Sequence, residues 1–230
     1  MSAGRFITLE GIEGAGKSTV ARALCLELER QGLSVLLTRE PGGTPLAESL
    51  RDMLLCHGAE AISPTAETLL LFAARAIHLD SAIRPALAAG QWVICDRFTD
   101  ASYAYQGAGR GVSAALLDQL ATAVHAGLWP ARTLVLDLPV AAGLARAKAR
   151  AGAADRFESE QCEFFERVRA DYLRRAALDP ARMRVIDALA AVPQVVAAAR
   201  AAIADLLPSP GSARLQGAVL RGFSAAHWPN

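Results

Sequence analysis

The sequence predicts an α/β fold: a five-stranded parallel sheet with helices on both faces and a small lid. Three observations carry this. Short runs rich in β-branched and aromatic residues recur along the chain, each followed by a longer segment of helical period. That alternation calls for a parallel sheet covered on both sides. The first run, Phe6-Ile7-Thr8-Leu9, opens directly into a glycine-rich turn and then a helical pattern from about Ser18 to Arg30. A chain of 230 residues suffices for one such domain and its core.

The elements follow in order. Gly32 marks the end of the first helix, and Ser34 to Thr38 reads as the second strand. Arg39-Glu40-Pro41-Gly42-Gly43-Thr44 comes next, at the carboxyl end of a parallel strand, where ligands bind in such sheets. A helix from Thr44 or Pro45 to about Leu55 and a loop through Ile62 lead to Ser63-Pro64, an N-cap with proline at the first helical position. The helix beyond reads as long, running to about Ala89, with Pro85 set to kink or break it. Gln91 to Cys95 is the third strand and ends at Asp96-Arg97-Phe98. A helical stretch, the glycine-rich 106–111 and a helix around 113–126 precede the fourth strand, Thr133 to Asp137. Val140 to Arg150 is helical, Ala151 to Ala154 a small-residue loop, and Ser159 to Leu178 a long amphipathic helix. Met183 to Ile186 is the last strand and Val192 to Leu207 the closing helix. Residues 1–207 form the expected domain, and the proline- and glycine-bearing 208–230 a tail outside its core.

The turn after the first strand is specific. Gly11-x-x-x-x-Gly16-Lys17-Ser18 has the spacing of a phosphate-binding P-loop, with strand, loop and helix in the required order. Glycines let successive N–H groups turn inward toward an anion. The following helix adds unpaired N–H groups and the positive end of its dipole. Lys17 brings a charge to the β- and γ-phosphates, and the Ser18 hydroxyl can ligate Mg²⁺. The expectation is therefore a P-loop NTPase fold that binds a nucleoside triphosphate.

Composition narrows the setting. Lys and Arg number 24 against 23 Asp and Glu, for a net charge of +1, so no global field draws nucleic acid or an anionic membrane. The four cysteines are scattered without zinc spacing and fit reduced thiols. The N-terminus runs straight into the first strand, so no signal peptide is expected. No apolar run reaches the roughly 18 residues of a membrane helix. A cytoplasmic location is the expectation.

Several constellations bear on where the phosphate goes. Asp96, at the end of a buried strand beside the loop, can hold Mg²⁺ directly or through water as the partner of Ser18, and Arg97 at the same corner suits a phosphate. Arg75 lies one turn after Leu71 and Phe72, and an aromatic with an arginine can stack on a base and bond its edge. Residues 140–154 carry Arg146, Lys148 and Arg150 with no acid among them. A solvated helix would mix in acids, so a lid closing cations over transferring phosphates explains the segment better. Glu13, inside the loop, and Glu40 are the nearest further acids able to order Mg²⁺, its waters or a sugar hydroxyl.

Taken together these residues resemble the thymidylate kinase family from about Arg5 to Leu207. The resemblance rests on EGIEGAGKST at 10–19, TREPGGT at 38–44, LLLFAAR at 69–75, CDRF at 95–98, SYAYQG at 102–107 followed by GRG at 109–111, and a lid of about 146–158 ending in DRFE. It implies in-line transfer of the ATP γ-phosphate to dTMP, giving dTDP, with Mg²⁺ held by Ser18, by Asp96 through water, and by Glu13 as a further candidate. Gly11, Ile12, Glu13, Gly14, Ala15, Gly16, Lys17, Ser18, Thr19 and Arg146 would hold ATP. Arg97 and Arg51 would take the acceptor phosphate, and Phe72 the thymine, with Arg75, Ser102 and Gln106 on its polar edge. Tyr105 would crowd the sugar 2′ position, and Glu40 with Pro41 would shape the acceptor site. Lys17, Arg97, Asp96 and Glu13 would serve catalysis. With no basic residue at the variable loop positions, the catalytic arginine would lie in the lid, Arg150 first and Arg146 second. A homodimer is also implied. The alternatives are another P-loop nucleotide or metabolite kinase and a regulatory module that hydrolyses its nucleotide slowly.

Overall fold

The computed structural model describes residues 4–55, 61–149, 157 and 160–208. Among them the strands β1 (Phe6–Glu10), β2 (Val35–Arg39), β3 (Trp92–Asp96), β4 (Arg132–Asp137) and β5 (Met183–Asp187) form one parallel sheet in the order β2-β3-β1-β4-β5. Helices α1 (Lys17–Arg30), α2 (Pro45–Leu55), α3 (Pro64–His78), α6 (Ala114–His125), α7 (Val140–Lys148), α8 (Cys162–Leu178) and α9 (Val192–Ala202) cover it, with short α4 (Arg84–Ala88) and α5 (Thr99–Ser102) between them. The five parallel strands and flanking helices match the expected fold.

Strand parity sorts the core. Trp92 and Ile94 of β3 join the cluster that holds Leu24 and Leu28 of α1, whereas Val93 and Cys95 pack on the opposite face with Leu79, Ile83 and Phe98. Both faces of β3 are thus apolar, as a strand interior to a doubly covered sheet requires. Thr8 of β1 faces Thr133 of β4 in register, and their hydroxyls meet at 2.8 Å, which pairs two polar groups inside the sheet.

Register also builds the site. Leu9 is level with Asp96, and Asp96 is level with Arg39. The loops that leave β1, β3 and β2 therefore emerge side by side at the carboxyl edge, where the chain order reverses and a crevice opens.

Three elements differ from the sequence expectation. Ser63 caps α3 as expected, its side chain accepting from Ala66 N. The long helix, however, does not break at Pro85. It widens earlier, into a π-helical segment over Leu79–Ile83, and Pro85 sits in the first turn of α4, where a missing N–H does no harm. The glycine-rich stretch is not a plain loop either: Tyr103–Gly109 is a second π-helical segment. Gly109 lies there against the Phe164 ring, too close for a Cβ. The closing helix ends at Ala202 and is followed by a 3₁₀ turn, Ala204–Leu206.

Candidate active site

The loop between β1 and α1 takes the form its glycines allow. Gly14 and Gly16 have φ of 72° and 86°. A Cβ on Gly14 would run into the Gly143 carbonyl, and one on Gly143 would come within 2.7 Å of the Glu13 carbonyl. The loop therefore rests backbone against backbone on α7. Lys17 Nζ donates to the carbonyls of Gly11 (3.0 Å) and Ile12 (2.8 Å), so the ammonium caps the loop. Burial, and then the neighbouring Arg97 charge, lower its pKa to about 8. The Ser18 hydroxyl donates to Asp96 Oδ2 at 2.6 Å. Ile12 and Ala15 are buried beneath the loop, and Thr19 lies at its rim.

Arg97 follows with φ of 70°, a left-handed conformation for a residue that carries a side chain. Its guanidinium donates to Glu13 Oε1 (2.7 Å) and to the Gly11 carbonyl (3.1 Å), and it lies 4.7 Å from the Tyr105 ring centre. The Tyr105 hydroxyl takes the other Glu13 oxygen at 2.7 Å. Both oxygens of Glu13 are thus engaged by protein. Beneath them Glu10, fully buried, accepts from Phe98 N (2.8 Å) and from the Tyr172 hydroxyl (2.8 Å). Burial, and then the Asp100 charge, raise the Glu10 pKa to about 7.

A second buried group forms the far wall. Arg75 Nε donates to Glu40 at 2.6 Å, and its two terminal nitrogens to the Ser102 hydroxyl (3.1 Å) and the Phe98 carbonyl (3.3 Å). His78 bridges Glu40 (3.2 Å) and the Thr38 hydroxyl (2.8 Å). Burial alone would raise the pKa of Glu40, but Arg75 and then His78 bring it below the ordinary value. The Glu40–Pro41 peptide is cis, and Arg51 donates to the Pro41 carbonyl at 2.9 Å. Gln106 Nε2 donates to Glu67 at 2.7 Å, and Arg110 Nε lies 3.2 Å from each Glu67 oxygen.

These groups enclose one cavity of about 620 Å³, with Lys17, Ser18, Asp96 and Arg97 at one end and Arg75, Ser102 and Gln106 at the other. Leu71, not Phe72, faces it. Leu71 and Arg75 share the i, i+4 row of α3, whereas Phe72 is turned about 100° away. There it packs on Leu117 and Ala121 of α6 beneath the Arg75 guanidinium, 4.6 Å away. Arg146 lines the cavity from the end of α7 but is anchored to the Ala188 carbonyl at 2.8 Å. Arg150, with 151–156 and 158 of the expected lid, lies outside the described residues, as does the tail beyond Pro208.

Sequence reasoning missed the groups that hold the others in place. Glu10, Tyr172, His78 and Glu67 are distant in sequence from what they support. Only Glu10 gave a signal, as an acid ending a fully buried strand. Chemically the cavity offers cations and oriented dipoles, and no Cys or His lines it among the described residues. That suits positioning and charge stabilisation of a polyphosphate rather than covalent catalysis.

Comparison with known proteins agrees. A family model described as thymidylate kinase matches residues 9–199. A thymidylate kinase from Pseudomonas savastanoi pv. phaseolicola is 57% identical over 205 residues, covering 89% of this chain and 95% of that protein. One from Alkalilimnicola ehrlichii is 52% identical, covering 89% and 94%. The crystal structure of thymidylate kinase from Ehrlichia chaffeensis superposes with a TM-score of 0.72 at 33% identity, over 88% of this chain and 99% of that one.

Proposed function

Since the chain belongs to the thymidylate kinase family and phosphorylates dTMP with ATP, we propose how its own residues divide that work. The loop 11–19, with Lys17, takes the donor triphosphate. Arg97 and Arg51 take the acceptor phosphate, which is already largely ionised at neutral pH, so that no strong general base is needed. Leu71 lies beside the thymine with Phe72 behind it, while Arg75, Ser102 and Gln106 meet its polar edge. Tyr105 fills the space a 2′-hydroxyl would need, and Glu40 with Pro41 shapes the wall. The Arg97 contacts with Glu13 and the loop carry this reading best, because they fix a cation against the donor loop inside the same cavity that Arg75, Ser102 and Gln106 line.

The donor set at Ser18 and Asp96 is a hydroxyl and a carboxylate in contact, oxygens suited to a hard cation that keeps its waters and substrate phosphates as further ligands. Ser18, and Asp96 through water, would hold Mg²⁺, with Glu13 a more distant candidate because Arg97 and Tyr105 already occupy its oxygens. Held there, Mg²⁺ would supply neutralisation of the charge on the polyphosphate. Arg150 is the first-choice lid arginine for the migrating phosphoryl group, and Arg146, held at Ala188, the second.

Residues 1–207 form the catalytic domain and 208–230 a tail. A homodimer fits the apolar surface of α2, where Leu46 and Met53 stand exposed seven residues apart on one face, with Leu69 of α3 also exposed. A cytoplasmic site of action suits the two substrates.

The test is ADP release from Mg-ATP with dTMP, dUMP, UMP, CMP, AMP or no acceptor. A clear lead for dTMP is expected, and acceleration by none of them would overturn the acceptor site. In the same assay Arg150→Ala should lower turnover by roughly 10³-fold or more while leaving dTMP binding in place. Unchanged turnover removes Arg150 from the role.

A further inference from the structure

Gln106 is 2% exposed, and its side chain ends at the cavity wall. Its Nε2 is committed to Glu67 at 2.7 Å, and Glu67 is itself fully buried and paired with Arg110. A carboxylate held by a guanidinium offers lone pairs and no proton, so only the N–H side of the amide can face it. An amide carries nitrogen and oxygen on opposite sides. Once the nitrogen is fixed, the oxygen is what the cavity meets. No described residue donates to Gln106 Oε1.

We propose that Glu67 sets base selectivity by positioning Gln106: it turns the Gln106 carbonyl toward the base and so selects a pyrimidine whose N3 carries hydrogen over one whose N3 carries a lone pair. The inference rests on the reading that the base binds against Gln106. An imide N–H, as in thymine or uracil, meets an acceptor there. Cytosine would bring its N3 lone pair against the carbonyl oxygen in a buried place, leaving two acceptors without a proton between them. Arg75 bears on the exocyclic edge of the base, so Glu67 accounts for part of the discrimination rather than all of it. Glu67 touches no substrate and is a positioning residue.

The experiment compares kcat/KM for dTMP and dCMP in wild type, Glu67→Gln, Glu67→Asp and Gln106→Leu. The amide of Glu67→Gln can donate to Gln106 Oε1 and turn the Gln106 NH₂ into the cavity. The dTMP-to-dCMP ratio should then fall at least about tenfold, mainly through KM for dTMP, with KM for ATP and Tm near wild type. A uniform loss for both acceptors with the ratio held overturns the proposal. Glu67→Asp keeps an acceptor-only carboxylate and decides the matter even where Glu67→Gln folds poorly: it should retain the wild-type ratio while weakening both acceptors, and a collapsed ratio overturns the proposal. Gln106→Leu separates the two layers. A raised KM for dTMP there with an unmoved ratio in Glu67→Gln sinks the role of Glu67 alone. An unchanged KM in Gln106→Leu sinks the base-site reading as well.

Discussion

Arg97 Nη2 donates to Glu13 Oε1 across 2.7 Å, and this ion pair is only partly covered. An incoming phosphate would compete with a carboxylate for the same guanidinium, and Glu13 would retain its bond from Tyr105. Arg97→Met should lower kcat/KM for dTMP by about 10²–10³, the usual effect of removing one charge-stabilising donor. Arg97→Lys should recover little, since an ammonium lacks the fork that spans Glu13, the Gly11 carbonyl and a phosphate together. Steady-state kinetics with dTMP varied checks both. A lysine variant near wild-type activity would remove the need for the fork.

Tyr105 is wedged between Glu13, the Arg97 guanidinium and the rings of Phe157, Phe164 and Tyr172. So fixed, the ring cannot yield to an added hydroxyl. Tyr105→Ala should lower the dUMP-to-UMP ratio of kcat/KM at least about tenfold, while Tyr105→Phe keeps it. If the alanine variant still rejects UMP, the ring is not what excludes ribose.

Lys17 titrates near 8 in the free protein, well below its ordinary 10.5. Between those values the free enzyme has lost the proton, whereas a bound polyphosphate favours the ammonium. Binding a non-hydrolysable ATP analogue at pH 8.5 should therefore take up protons, and at pH 7 far fewer. Calorimetry in buffers of different ionisation enthalpy reads the uptake directly. Lys17→Met should abolish it, and an equal uptake in that variant would assign the proton elsewhere.

Glu10 is raised from 4.5 to about 7 by burial. Between those values the folded protein keeps a proton that the unfolded chain has released, so Glu10's contribution to stability falls as pH rises through the window and levels off above about 7. The sum is about 3 kcal/mol. Urea unfolding from pH 4.5 to 7.5 should show wild type losing stability relative to Glu10→Gln by that order. Parallel curves would mean that Glu10 is ionised throughout.

How much of this could be read from the chain depends on how local the chemistry is. The loop at 11–18 is legible because spacing alone defines it, and Asp96-Arg97 because a strand end beside that loop has few other uses. The face of α3 is not: whether Leu71 or Phe72 meets the cavity turns on a rotation of about 100° that is settled by packing on α6. The π-helical segment at 103–109 hides behind glycines that elsewhere end helices. Tyr172 and Glu67 give no signal, since each matters only through a partner brought close by the fold.

The contact of Gly14 with Gly143 makes α7 a stop block for the donor loop. A Cβ at position 143 would meet the Glu13 carbonyl at 2.7 Å and the Ile12 side chain at 2.9 Å, so any residue larger than glycine there must displace the loop. A tilt there would move the loop that presents the terminal phosphate of a bound nucleotide out of line with the acceptor. Such a misaligned enzyme would fail at the transfer, a fault set by a glycine that itself touches neither substrate.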